Sequence, residues 1–170
     1  MPLTTDRKML TLSQEFLQEF EAISGRHPGF RPMHARGILL KGTFLPTPEV
    51  ASLSRALHLT RPATPVVVRF SNFSGIPTTP DNDPNDDPRG CAIRFYLAEH
   101  DHTDIISHST PYFPAGNAPD FMAMLQAIVA SGPDKGPDTP IAQYLLAYPK
   151  ARAFAERPKP VPSSYARETY

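Results

Sequence analysis

The amino-acid sequence predicts an α+β fold, and three observations support that class. Apolar residues recur at helical spacing over residues 12–23 and again over 121–129. Between these segments lie four short apolar runs of strand-like length, at 36–45, 66–71, 91–97 and 103–107. The 170 residues include 21 prolines, which favour long irregular connections and argue against an all-helical bundle. Helices, strands and long loops in this arrangement are typical of one α+β domain.

Composition narrows the class of function. Lys+Arg and Asp+Glu both number 17, so the formal net charge is zero and gives no reason to expect a nucleic-acid or membrane partner. The only cysteine, Cys91, excludes an internal disulfide framework. The N-terminal residues lack the apolar run of a signal peptide, so we expect a cytoplasmic protein.

Local signals place the helix boundaries. Thr11 is predicted to cap the first helix, with Gln14 as its capping-box partner, and Gly25 to end it. Three later helix starts are predicted from proline near the first helical position, at Thr47-Pro48, Pro119 and Thr139-Pro140. An extended linker is expected at 158–162.

A long polar loop covers residues 74–90. Its acidic part, 81–86, has the beginning of a calcium loop, but Asp86 stands where the sixth position needs glycine and Ala92 where the twelfth needs glutamate. We therefore predict no calcium site. The histidines and aspartates of 99–104 could in principle form a metal cluster, but they are more typical of a polar hairpin turn.

One stretch combines groups that could handle protons and anions. His34 lies between Arg31 and Arg36 and is followed by Gly37 and an apolar run. Histidine exchanges protons near neutral pH, and arginines can hold an anion. The alternative is a histidine hydrogen-bonded at a strand start, between two solvated arginines.

The strand predicted at 66–71 has two unlike faces. Alternation places Val67, Arg69 and Ser71 on one face. By itself this pattern also fits an edge strand with one wet side.

Four stretches, in this order and with these gaps, resemble the haem catalase family, and most closely its shorter branch, the catalase-related peroxidases. They are 31–37, 64–71, 87–96 and 104–111. The resemblance implies a catalase-like antiparallel β-barrel with flanking helices. Only about four strands can be counted here, whereas closing a small barrel takes about eight, so we expect the barrel to be incomplete.

The resemblance also implies the cofactor and the residues that hold it. Haem (heme b) would lie against the strand face that carries Arg69. In the family, Arg69 and Arg31 match arginines that bind the propionates through charge-assisted hydrogen bonds. Val67 would pack near the ring.

The catalytic set follows from the same resemblance. His34 matches the distal histidine, which moves a proton between the peroxide oxygens, and Ser71 matches the serine that bonds its ring nitrogen. His108 falls where full-length catalases place an asparagine that hydrogen-bonds peroxide. This departure favours a peroxidase over a fast catalase, and an ordinary strand histidine is the alternative.

One part of the family pattern is missing. The family's iron is held by a tyrosinate in an Arg-x-x-x-Tyr helix motif, whereas Arg167 and Tyr170 are three residues apart. We therefore expect one catalase-like domain over 1–170 that stops before the helix with the proximal haem ligand.

Three functional hypotheses follow. The first is a haem-dependent peroxidase or catalase that acts on hydrogen peroxide or organic peroxides, with an unknown electron donor and with a homo-oligomer left open. The second is a non-catalytic truncated remnant with weak or no haem binding. The third is an unrelated α+β binding module.

Overall fold

The computed structural model describes residues 4–83, 86–134 and 136–157, and four of its strands form one antiparallel sheet. The strands follow one another in the sheet as they do in the chain: β1 Gly37–Phe44, β2 Thr64–Ser71, β3 Gly90–Ala98 and β4 Asp101–His108. Helices flank this sheet, so the α+β prediction is confirmed. The sheet is open, and the predicted barrel is not confirmed.

The strand register brings distant residues into one row. Ser71 pairs with Gly37 on one side and with Gly90 on the other, and Gly90 in turn pairs with His108. Strands β3 and β4 are joined by the two residues 99–100, as the hairpin interpretation of this stretch expects. The row crosses the whole sheet at the end nearest His34.

Alternation gives the sheet two faces. We call one of them the packed face, and on it Phe95 is only 1% exposed. The centroid of its ring lies 5.2 Å from that of Phe44 and 4.3 Å from that of His58. His58 belongs to α2, Leu57–Thr60, which follows a short 3-10 helix, Pro48–Ser52. The other, the open face, is lined by Leu39, Val67, Arg69, Ala92, Arg94 and Ile106.

Helix α1, Arg7–Ser24, begins earlier than the sequence predicts. The side chain of Asp6 accepts a hydrogen bond from the backbone N–H of Lys8, so Asp6, not Thr11, is the N-cap. The predicted end is confirmed, since Gly25 has φ 80° and its N–H donates to the Glu21 carbonyl.

Three helices follow the sheet: α3 Ala118–Ser131, α4 Pro140–Ala147 and α5 Pro149–Glu156. Phe121 of α3 packs against Phe16 and Phe20 of α1, at ring distances of 5.6 and 6.2 Å. Arg157, just after α5, pairs with Asp87 before β3. None of the described helices is long and apolar enough to cross a membrane. The linker expected at 158–162 and the 163–170 segment lie outside the described residues.

Candidate functional site

The backbone of His34 is held in an uncommon conformation. Its φ is 54°, in the left-handed region that non-glycine residues seldom adopt. Its N–H donates to the Phe73 carbonyl at 3.1 Å, and its own carbonyl accepts from Arg69 Nη2 at 2.7 Å. The next N–H, of Ala35, donates to the Ser74 carbonyl at 2.9 Å. Strand β2 and the loop after it therefore fix the position of this histidine, as is typical where strained backbone is retained at a functional site.

The ring of His34 is oriented by one nitrogen. Nδ1 lies 2.6 Å from the backbone carbonyl of Asn72 and 3.2 Å from Oγ of Ser71. A carbonyl oxygen can only accept, so Nδ1 of the neutral ring carries the hydrogen. The lone pair is then on Nε2, which is the nitrogen available to take a proton.

His108 stacks on this ring. The two imidazole centroids are 5.4 Å apart and their planes differ by 18°. Phe113 stacks on His108 at 6.2 Å, and Phe73 meets His34 edge-on at 5.6 Å. The two histidines predicted at the site therefore meet in one aromatic cluster, although 74 positions separate their numbers in the chain.

Burial favours the neutral form of both imidazoles. It lowers the pKa of His34, while the hydrogen bond to Asn72 acts in the opposite direction and the nearby His108, Arg69 and Arg31 lower that pKa further. Burial also lowers the pKa of His108. A neutral imidazole is the form that can accept a proton.

The open face contains a cleft of about 260 Å³. Its walls are partly aliphatic and partly guanidinium, with Arg31, Arg69 and Arg94 around the apolar side chains. Arg94 makes two 2.9 Å hydrogen bonds to the carboxylate of Asp104. Arg31 makes no side-chain hydrogen bond or ion pair within the described ranges, so its charge is available to an anion.

Arg36 lies apart from this cleft. It pairs with Asp81 at 3.4 Å and donates to the Thr79 carbonyl at 3.2 Å, with about half of its side chain exposed. Of the two arginines beside His34, only Arg31 lines the open face.

Two residues, Gly90 and Asp86, were not assigned to the site from the sequence. A Cβ on Gly90 would lie 2.7 Å from Ser71 Oγ and 3.0 Å from Nδ1 of His34, so glycine is required for the ring to approach β3. Asp86 is 2% exposed and accepts from the Ser74 N–H. Burial raises the pKa of its carboxyl, opposed by that hydrogen bond and by the charge of Arg89. The glycine at the start of β3 could have been recognised from the sequence as a position of close approach. Nothing in the sequence distinguishes Asp86 from the other aspartates of its acidic loop.

Comparisons with known proteins identify the family of this chain. The family model described as Catalase matches residues 6–144. A catalase-related peroxidase of Mycolicibacterium paratuberculosis is 33% identical over 151 residues, covering 86% of this chain and 46% of that protein. Another, of Synechococcus elongatus, is 30% identical over 159 residues, covering 92% of this chain and 46% of the relative. The chain thus spans about half the length of these curated relatives.

A solved structure gives the same result. A fungal catalase, whose crystal structure was determined at 1.9 Å, is similar with a TM-score of 0.51 and 26% identity, covering 79% of this chain and 25% of that one. The family model covers well over half of the chain, and relatives at 33% and 30% identity match 86% and 92% of it. The chain belongs to the catalase family.

Proposed function

We propose that this chain carries the peroxide-handling residues of a haem-dependent peroxidase or catalase, with His34 as the general acid–base. The observation that carries the proposal is the 2.6 Å contact between Nδ1 of His34 and the Asn72 carbonyl. In this contact Nδ1 donates the hydrogen bond, so Nε2 is the basic nitrogen of the ring. Family membership removes the unrelated α+β module from consideration.

The proton steps follow from this tautomer. Nε2 of His34 takes the proton from one peroxide oxygen and returns it to the other, so the imidazole begins and ends neutral. Burial lowers the pKa of His34, which keeps the neutral form populated below neutral pH. Ser71 Oγ, 3.2 Å from Nδ1, accepts a share of the same N–H and restrains the ring against rotation.

His108 supplies a second imidazole beside the reacting oxygens. It stacks on His34 with a centroid distance of 5.4 Å, and we assign it the donation of a hydrogen bond to peroxide. Because its pKa is also lowered by burial, it donates as a neutral ring and adds no positive charge next to His34. His108 would hold peroxide in place of the asparagine amide of full-length catalases.

The open face fits the chemistry of haem. Haem is a flat apolar ring with two anionic propionates, and this face offers aliphatic side chains beside guanidinium groups. Val67 would pack on the ring, while Arg31 and Arg69 would bind the propionates. Arg69 uses one N–H for the His34 carbonyl and keeps others for a ligand. When bound, haem would supply the redox-active iron for peroxide cleavage.

The partners proposed for this function are a small peroxide and an electron donor of unknown identity. Self-association is proposed as well. Strands β1 and β4 are the two outer strands of the sheet, and each has one edge that pairs with no other described strand. Such edges favour pairing with another strand.

The test compares His34→Ala with His100→Ala, a control histidine that is fully exposed in the hairpin turn. Each protein is titrated with haem by absorbance, and peroxide consumption is measured against the same concentration of free haem. We expect His34→Ala to lose about 10²–10⁴-fold in turnover with haem binding retained, and His100→Ala to match the parent chain. If the parent chain consumes peroxide no faster than free haem does, the non-catalytic alternative is favoured. Equal rates for His34→Ala and the parent chain would remove His34 from the mechanism.

A further inference from the structure

A buried carboxylate lies on the far side of the loop that contacts His34. Asp86 is 2% exposed, its Oδ1 accepts from the backbone N–H of Ser74 at 2.5 Å, and the backbone N–H of Phe73 is close enough to lower the pKa of the same carboxyl. Arg89 approaches its second oxygen at 3.5 Å. A charged side chain this deeply buried is retained only where its hydrogen bonds are satisfied.

Two consecutive peptide groups connect this carboxylate to His34. In a trans peptide the N–H and the C=O point in opposite directions. The Asn72 C=O accepts from His34 Nδ1 at 2.6 Å. The N–H of the same peptide group, which belongs to Phe73, therefore points to the opposite side, where it lowers the pKa of Asp86. The Ser74 N–H also faces Asp86, and the C=O of that peptide group, which belongs to Phe73, accepts from the His34 N–H at 3.1 Å.

We propose that Asp86 is the positioning residue of His34, acting through the peptide groups between Asn72 and Ser74. By holding the N–H side of both groups, the carboxylate aims both carbonyls at His34. It also polarises the two amides, which strengthens the carbonyls as acceptors. Asp86 thereby selects the Nδ1–H tautomer and keeps Nε2 basic.

Arg89 links the same carboxylate to the segment that carries the second histidine of the site. Arg89, its ion-pair partner, exchanges two hydrogen bonds with Ser109, the residue after His108: the Ser109 N–H donates to the Arg89 carbonyl, and the Arg89 N–H donates to Ser109 Oγ, both at 2.9 Å. Asp86 is thus linked to the His108 segment through Arg89, and to His34 through the peptide groups between Asn72 and Ser74. The inference deepens the proposed function, because a fixed tautomer matters for catalysis only if His34 moves protons.

Nuclear magnetic resonance of the ¹⁵N-labelled full chain, without haem or peroxide, tests the proposal. The two ring nitrogens of His34 are followed against pH, with His34→Gln providing the assignment. In the parent chain we expect the Nδ1–H tautomer alone. In Asp86→Ala we expect a mixture of tautomers and a lower His34 pKa, because the bond to Asn72 raises that pKa.

Asp81→Asn is the matched control. It removes the same charge from the same loop, but that carboxylate pairs with Arg36, so His34 should titrate as in the parent chain. If Asp86→Ala does not fold, Asp86→Asn decides the matter: its amide oxygen still accepts an N–H, and the His34 pKa should fall by a smaller amount.

An unchanged tautomer and pKa in a folded Asp86 variant would overturn the proposal, as would an equal change in Asp81→Asn. This measurement uses no peroxide, so its result can be interpreted even if the peroxide assay fails. If the assay fails and the tautomer depends on Asp86, then Asp86 positions His34 but His34 does not act as the acid–base.

Discussion

Gly90→Ala is the small change that places a new atom directly against the His34 ring. The added Cβ would lie 2.7 Å from Ser71 Oγ and 3.0 Å from Nδ1 of His34, both within the distance at which atoms must move. Ser71 can rotate and give up its contact with Nδ1. The imidazole has less freedom, because it is bonded to the Asn72 carbonyl and stacked on His108.

The expected cost is that of overpacking, about 1–3 kcal/mol. For a chain of this length each kcal/mol lowers the melting temperature by about 2–4 °C. Urea unfolding followed by circular dichroism measures the free energy of unfolding, and the ring-nitrogen shifts of His34 report whether the imidazole has moved. Peroxide turnover should fall with that displacement.

Gly42→Ala is the control, since Gly42 lies in the same sheet and a Cβ there meets nothing within 4 Å. It should be neutral or stabilise by about 0.4–1 kcal/mol through the unfolded chain. Adding Ser71→Ala to Gly90→Ala removes the shorter of the two contacts and should restore part of the lost stability. Equal unfolding free energies for the two alanine variants, with unchanged His34 shifts, would refute the close-approach argument.

Further outcomes are expected from the same geometry. Ser71→Ala should slow peroxide turnover less than His34→Ala, because the Asn72 carbonyl still orients the ring, and equal losses would contradict this. Arg69→Leu should weaken haem binding in an absorbance titration more than it slows turnover per bound haem, and unchanged affinity would remove Arg69 from the proposed pocket. Burial lowers the pKa values of His34 and His108, so the unfolded chain binds more protons just below pH 6.5, and the free energy of unfolding should fall as pH drops through that window. Ile105→Lys places a charge on the outer strand β4, at an exposed residue that does not line the cleft, and should shift sedimentation toward the monomer.

Local periodicity explains what the sequence could predict. Alternation along β2 was enough to place Val67 and Arg69 on one face, and the structure finds both at the cleft. Capping signals located the end of α1 and the start of α4, because each depends on a few adjacent residues. The start of α1 was wrong because Asp6 caps at least as well as Thr11 and lies before a good helix-forming run.

The contacts that build the site depend on residues far apart in the chain, and local patterns do not contain them. Asp86 and Ser74 are twelve positions apart, and only the folded loop shows that one accepts from the other. The stacking of His108 on His34 depends on how β3 and β4 pair, which composition and spacing leave undetermined.

Register is therefore the property on which the site depends most. A slip of one residue between β2 and β3 would turn every β3 side chain to the other face. Cys91 would then stand opposite Ser71, and its side chain would occupy the space that the His34 ring uses beside Gly90.

Contacts at both ends of β3 oppose such a slip. The two-residue turn after Ala98 fixes its pairing with β4. At the other end, Arg89 is bonded to Ser109 and paired with Asp86, while Asp87 is paired with Arg157 beyond α5. Because Asp86 and Asp87 are adjacent, the contacts that hold the register also hold the loop behind His34. Weakening Arg157–Asp87 should therefore disturb the His34 ring even though neither residue touches it, a consequence that the tautomer measurement proposed for Asp86 would detect.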